Sequence, residues 1–217
     1  MDFSFLFKYY MFFLNGAKFT LILAFFTVLF GVILGLLLAL MRISKIKVLN
    51  IISGAYIEFI RGTPLMVQIF IIYYALPDLI GFNIPEMPSA IMALAINSGA
   101  YVAEIIRAGI QAVDKGQMEA ARSLGLSYGA AMRYVIVPQA IKNILPALGN
   151  EFVVVIKESS VVSVIGIKEL MYNADTVRGN TFRAFEPLIV AALIYFIMTF
   201  TLSKLMGRFE RRLKNSD

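Results

Sequence analysis

The segment EAARSLGLSYGAAMRYVIVPQAIKNILP, Glu119 to Pro146, decides how the rest of the chain is read. It carries basic and small residues, yet long apolar runs flank it. Ala120, Leu124 and Tyr128 recur at spacing four, and Glu119 and Arg122 stand as an i,i+3 helical pair. Gly125, which tolerates left-handed backbone angles, ends a first short helix. Ser127 caps a second that runs from about Tyr128, and Pro138 ends or kinks it. Two short helices with small residues at the bend make a compact knob, suited to filling a groove on a soluble partner. A re-entrant or interfacial helix without a partner is the other reading of the same pattern.

The flanks set the class. Of 217 residues, 59% are hydrophobic and only 16% charged, with a mean hydropathy of +0.79. Soluble domains sit nearer half apolar with about a quarter charged. The chain therefore reads as an all-α integral membrane protein. It has no cysteine and no histidine, which excludes disulfides, Cys/His metal sites and Ser–His or Cys–His nucleophiles. A net charge of +6 would suit nucleic acid, but its placement fits an orientation signal instead, and no nucleic-acid partner is expected.

Five stretches are long enough to cross a bilayer: about 17–41, 51–76, 88–112, 147–167 and 186–206. They form one transmembrane domain over 1–217, with a loop at about 113–146. The uncharged run Phe19 to Met41 is too long for a cleaved signal peptide. The aromatic stretch FSFLFKYYMFF before it reads as a short interfacial helix, the other reading being that it extends the first span. "LPDLIGFNIPEMP" and "MYNADTVRGNTFRAFEP" read as separators between spans. Arg42, Lys45, Lys47, Lys115, Arg122, Arg133, Lys142, Lys204, Arg208, Arg211, Arg212 and Lys214 share one side, against Lys8, Lys18, Lys168, Arg178 and Arg183 on the other. The positive-inside rule puts the larger set in the cytoplasm, with the N-terminus outside and the C-terminus inside.

Glu119-Ala120-Ala121, then Gly125 after three residues, then Val135-Ile136-Val137-Pro138 after nine more, resembles the "EAA loop" of ABC importer permeases. Val135 and Val137 stand where Ile and Leu are usual, keeping the apolar character. "EFIRGTPLMVQIFIIYYALP" (Glu58 to Pro77) and "NSGAYVAEIIRAGI" (Asn97 to Ile110) are similar to the second and third spans of the polar amino acid permeases of histidine, glutamine and arginine type. The resemblance covers about residues 10 to 212 and implies a type I ABC importer fold in a bacterial inner membrane. It also implies a second permease subunit, identical or related, two separate ATPase subunits and an external substrate-binding protein. Glu119, Ala120, Ala121, Leu124, Gly125 and Pro138 would then form the coupling region that meets the ATPases. No GxxxxGK[ST] loop occurs here, so ATP and Mg would be held by the partner, with no cofactor in this chain.

Ionisable residues at membrane depth are costly, about 2.5–3.5 kcal/mol each on insertion scales, and face a bundle interior or cavity. Glu58, Arg61, Leu65 and Gln68 make a stripe on the second span, Asn97, Tyr101 and Glu104 on the third, and Glu151 and Glu158 on the fourth. Three stripes can converge on one substrate cavity. Asn97-Ser98-Gly99 and Gly62-Thr63-Pro64 loosen their helices and free backbone groups. Arg61 and Thr63 suit a substrate carboxylate, while Glu58, Glu104 and Glu151 suit an amine. Four acids against Arg61, Arg107 and Lys157 favour a basic amino acid. The other reading is that Glu58–Arg61 and Glu104–Arg107 neutralise themselves on their own helices.

Two other classes compete. A membrane protease lacks a His partner, an intramembrane Asp pair and an HExxH motif. An ion-coupled secondary transporter would share the buried charges but would not need the cytoplasmic knob, and five spans are few for inverted repeats.

Overall fold

The computed structural model describes residues 2–214, without the side chains of Leu213 and Lys214, so Lys214 of the basic set lies outside the described side chains. The described residues form helices α1 (Leu6–Ile43), α2 (Lys47–Arg61), α3 (Leu65–Phe70), α4 (Leu76–Ile80), α5 (Glu86–Gln111), α6 (Lys115–Ser123), α7 (Tyr128–Ala131), α8 (Val137–Glu158), α9 (Leu170–Thr181) and α10 (Glu186–Lys214). By length and composition α1, α5 and α10 suffice to cross a membrane, and the bent pair α2 with α3–α4 makes a fourth candidate. α8 has 22 residues but carries Lys142, Glu151, Lys157 and Glu158.

The central helix is α1. At 1.5 Å per residue its 38 residues extend about 57 Å, far beyond the hydrocarbon core. The aromatic stretch expected to form a separate interfacial helix is instead the first turns of this continuous rod. No glycine or proline interrupts it before Gly16, so nothing in the backbone ends the helix there. Gly16, Thr20, Ala24, Thr27, Gly31, Gly35 and Ala39 recur every three or four residues and are all buried. This small-residue stripe packs against α5, α8 and α9, while Phe25, Leu29, Ile33 and Leu36 face outward. Lipid tails are as apolar as leucine, so helices associate here through close packing. A Cβ on Gly35 would lie 2.5 Å from Val102 Cγ1 and 2.9 Å from the Gly99 carbonyl oxygen. One on Gly99 would lie 2.9 Å from Leu34 Cδ2.

The second expected span is broken. α2 ends at Arg61, and α3 leaves at 106° after Gly62–Pro64. Proline has no N–H to continue the ladder and disfavours helical angles in the residue before it. Two π turns follow the same logic. Ile71–Ala75 and Met132–Ile136 each precede a proline near the start of the next helix, Pro77 and Pro138. Widening the turn accommodates the missing N–H.

The fourth expected span also differs. Helix α8 starts at Val137, inside the stretch assigned to the loop, and gives way to a 3-10 turn over Ser159–Ile165. Most of the separator MYNADTVRGNTFRAFEP is helix α9, because Glu169 caps it by accepting from the N–H groups of Met171 and Tyr172 at 2.9 and 2.7 Å. Glu169 is fully buried and also receives the Tyr195 hydroxyl at 2.6 Å, which ties α9 to α10.

The two ends of the bundle are distinct. At one, Arg183 donates to the Asp2 carboxylate and main-chain carbonyl. That guanidinium, then the Ser4 backbone N–H, holds the Asp2 carboxyl down at about 2. At the other, Lys45 Nζ lies 5.6 Å from the Tyr128 ring centroid, which places the α1–α2 turn beside the α6–α7 knob.

Gly35→Leu should overpack the α1–α5 seam at a cost of about 1–3 kcal/mol, lowering the melting temperature of the detergent-purified protein by several degrees. Gly179→Ala, whose new Cβ meets nothing within 4 Å, should not.

Candidate functional site

The hydrogen bonds and ion pairs of the polar residues within the bundle fall into two main groups. The first lies where α2 meets α5. Glu104 receives Arg107 in a forked contact, with Nε at 3.0 Å from Oε1 and 3.1 Å from Oε2 and Nη2 at 2.7 Å from Oε2. Arg61 Nη1 stands 3.9 Å from the same carboxylate, and its guanidinium lies 5.4 Å from the Tyr101 ring centroid. Arg107 also reaches the Gln111 side-chain oxygen at 2.6 Å. Glu104 is thus neutralised on its own helix, as the pairing alternative anticipates. Glu58 does not follow that alternative: it is exposed, and among the described residues it forms no ion pair with Arg61. A charge-bearing stripe exposed on a membrane helix suits an aqueous path or a partner subunit better than lipid.

The second group lies between α5 and α8. Ser98 is buried and donates to Glu151 Oε1 at 2.8 Å. Glu151 is only 8% exposed and has no basic partner among the described residues. Glu158, half-buried two turns further on, shares its helix. Ser98 reaches α8 because Gly31 and Gly35 of α1 let α5 sit close, with a Gly31 Cβ only 3.1 Å from Ser98 Cβ.

Two residues assigned to substrate are occupied elsewhere. Asn97 donates its amide to Gln68 Oε1 at 3.0 Å, and the Thr63 hydroxyl donates to the Phe59 carbonyl at 3.0 Å. Both stabilise the α2–α3 break, whose open carbonyls compete for every nearby donor. Gln68 was legible as a member of the α2 stripe, but its place in this break was not. Glu169 was missed altogether, although an acid immediately before an unbroken helical run is a capping signal.

The knob is built as its punctuation requires. Asp114 caps α6 through the Gly116 N–H at 2.7 Å, and Ser127 caps α7 through the Ala130 N–H at 3.2 Å. Gly125 sits at φ +87°, a left-handed angle that a side chain would strain. Arg122 does not pair with Glu119. Its guanidinium donates to the Leu126 carbonyl at 2.8 Å and closes the turn. Ala121 is buried under the knob, while Glu119, Ala120 and Pro138 are exposed and Leu124 is 85% exposed. Tyr128 and Tyr134 add to this apolar ridge. Among the described residues no cluster of three or more acidic side chains is arranged to hold a metal.

Comparison with known proteins gives a consistent set of likenesses. Residues 31–215 match the profile of the family described as binding-protein-dependent transport system inner membrane component. The chain is 43% identical over its whole length to the arginine transport system permease protein ArtQ of Bacillus subtilis, covering 99% of that protein. It is 42% identical over 94% of its length to a putative glutamine transport system permease protein GlnP of Rickettsia bellii, covering 93% of it. Its fold superposes with a TM-score of 0.94, at 57% identity and over 98% of this chain and 99% of the other, on a chain in the crystal structure of an amino acid ABC transporter with histidines.

Ser98→Ala should leave the Glu151 carboxylate one donor short in a buried place, costing about 1–3 kcal/mol. A lower melting temperature is expected, and a smaller loss for Glu151→Gln, whose amide oxygen can still accept from Ser98.

Proposed function

The chain belongs to the family of binding-protein-dependent transport system inner membrane components, and from that premise we propose that it forms the path of an ATP-driven importer of basic amino acids. It is a multi-pass inner-membrane permease subunit of amino acid ABC type, a transport component and not an enzyme. ATP and Mg are held by two ATPase subunits that dock on the α6–α7 knob. A second permease, a copy or a relative, completes the path, and an external binding protein delivers the substrate. The N-terminus lies outside and the C-terminus in the cytoplasm. An ion-coupled mechanism is not favoured, since the family is defined by dependence on a binding protein.

The observation that carries this reading is the exposed apolar ridge of Leu124, Tyr128 and Tyr134 on a capped two-helix knob. Such a surface standing in water calls for a partner. Closure of the ATPases would push the knob, and α8 continues from it through the π turn at Met132–Ile136 to Glu151. Gly125→Pro or Glu119→Lys is expected to leave the protein inserted while ATP hydrolysis no longer drives uptake. Reconstituted vesicles with ATPase and binding protein measure both rates, and wild-type coupling in both variants would refute the docking role.

Basic specificity rests on Glu151 and Glu158, acids in a half-apolar setting without a described basic partner except the neighbouring Lys157. A guanidinium or ammonium there gains a charge-assisted hydrogen bond, roughly twice as strong as a neutral one. Arg61 remains for the carboxylate, with Glu58 and Tyr101 beside the path. Glu151→Gln should lower arginine uptake about tenfold, a loss of about 1.4 kcal/mol, with little change for glutamine. Unchanged uptake and selectivity would remove the internal acidic site.

A further inference from the structure

The break between α2 and α3 opens the helix between the buried Ile60 and the buried Gln68. Ile60 is the last buried apolar residue of α2, and the carbonyls of Ile60 and Thr63 lose their i+4 donors to the missing Pro64 N–H and the 106° turn, the first keeping only long bonds from the Thr63 N–H at 3.5 Å and hydroxyl at 3.4 Å. One side chain answers both. Gln68, 6% exposed on the first turn of α3, aims its amide nitrogen at the Ile60 carbonyl at 2.8 Å, the Thr63 hydroxyl at 2.9 Å and the Thr63 carbonyl at 3.2 Å. Its amide oxygen is taken by the Asn97 side-chain NH2 at 3.0 Å, which selects the rotamer. On the other arm of the bend, the Tyr56 hydroxyl donates to the Ile96 carbonyl at 3.0 Å. Both arms are therefore pinned to consecutive residues of α5, Ile96 and Asn97. Arg61 is the last residue of α2 and stands at the vertex, with its guanidinium directed to Tyr101 and Glu104 one to two turns along that same α5.

We propose that Gln68, locked by Asn97, is the positioning residue that sets the α2–α3 angle and thereby aims Arg61 into the path. Asn97 acts through Gln68 and not on the substrate. The role of Arg61 rests on the function proposed above, whereas the pinned angle does not. Replacing Gln68 with an apolar residue leaves the Ile60 carbonyl with only its long bonds from Thr63, the Thr63 carbonyl without this donor, and Asn97 without its acceptor. The arms then keep only the Tyr56 bond, the Arg61–Glu104 contact and the apolar packing of Ile69 on α5.

The test uses the assembled permease–ATPase complex in nanodiscs. The chain has no native cysteine, so spin labels at Ile52→Cys on α2 and Leu79→Cys on α4, both exposed, report the bend. Labelled arginine binding without binding protein reports the site. Gln68→Leu should shift or broaden the label distance by several ångströms and raise the arginine Kd about tenfold. Asn97→Leu should do the same to a lesser degree, and the double variant should be no worse than Gln68→Leu, as expected for residues acting as one unit. If Gln68→Leu does not assemble, Thr63→Val removes only the hydroxyl and carries the same two measurements. A wild-type distance in the assembled variants overturns the inference. Full additivity of Asn97→Leu on Kd also overturns it, since Asn97 would then touch substrate directly. A shifted distance with unchanged arginine binding keeps the clasp and rejects the substrate role of Arg61.

Discussion

The contacts that α5 makes through Asn97 and Ser98 depend on how closely α1 and α5 approach. Gly31 and Gly35 present bare backbone to Ser98, Gly99 and Val102, and a single methyl group at Gly35 would collide with both a side chain and a main-chain carbonyl. In lipid, burial of apolar surface does not by itself draw helices together, so this steric fit is the force that assembles them. Its consequence is chemical. With α5 seated against α1, Ser98 reaches Glu151 on α8, and Asn97, one residue away on the helix, reaches Gln68 on α3. Two neighbouring residues thus face two different elements, and the acidic group and the helix break become parts of one frame.

Within that frame, the bend after α2 and the two π turns each have a proline behind them and a local remedy. Pro64 opens a bend that Gln68 closes by hydrogen bonding. Pro77 and Pro138 open their turns to π geometry instead. The remedies differ because the first turns the chain by 106°, too sharply for a widened helical turn to carry, so a side chain bridges the two arms. The charges follow the same economy. Glu104 is matched by Arg107 and approached by Arg61, while Glu151 has a hydroxyl and no described cation. That contrast is what the proposed basic-substrate role of Glu151 rests on.

Local patterns were legible wherever a residue acts on its own neighbours. Gly125, Ser127 and the turn between the short helices follow from backbone angles and capping distances of three residues, and the structure holds them as the pattern implies. Where a residue has competing partners, spacing misleads. Arg122 chose a carbonyl four residues on over Glu119, because closing a turn leaves that carbonyl short of a donor. The aromatic N-terminal stretch looked like a surface helix from composition, yet no residue there breaks the backbone, and it runs into α1.

By itself the sequence determined that this is a helical membrane protein with a polar two-helix knob and a family resemblance carried by that knob, since apolar length, charge placement and turn residues act along the chain. It also determined which residues are ionisable at membrane depth. Only the tertiary structure decided what each of them faces. Glu104 and Glu151 look alike as isolated acids, but they sit on different helices beside different partners. Asn97 and Ser98 look alike as adjacent small polar residues, but a difference of about 100° around one helix sends them to different neighbours. Helical periodicity gives the direction of a side chain from its axis. The neighbour waiting in that direction is set by the packing of α1 against α5, through contacts between residues tens of positions apart.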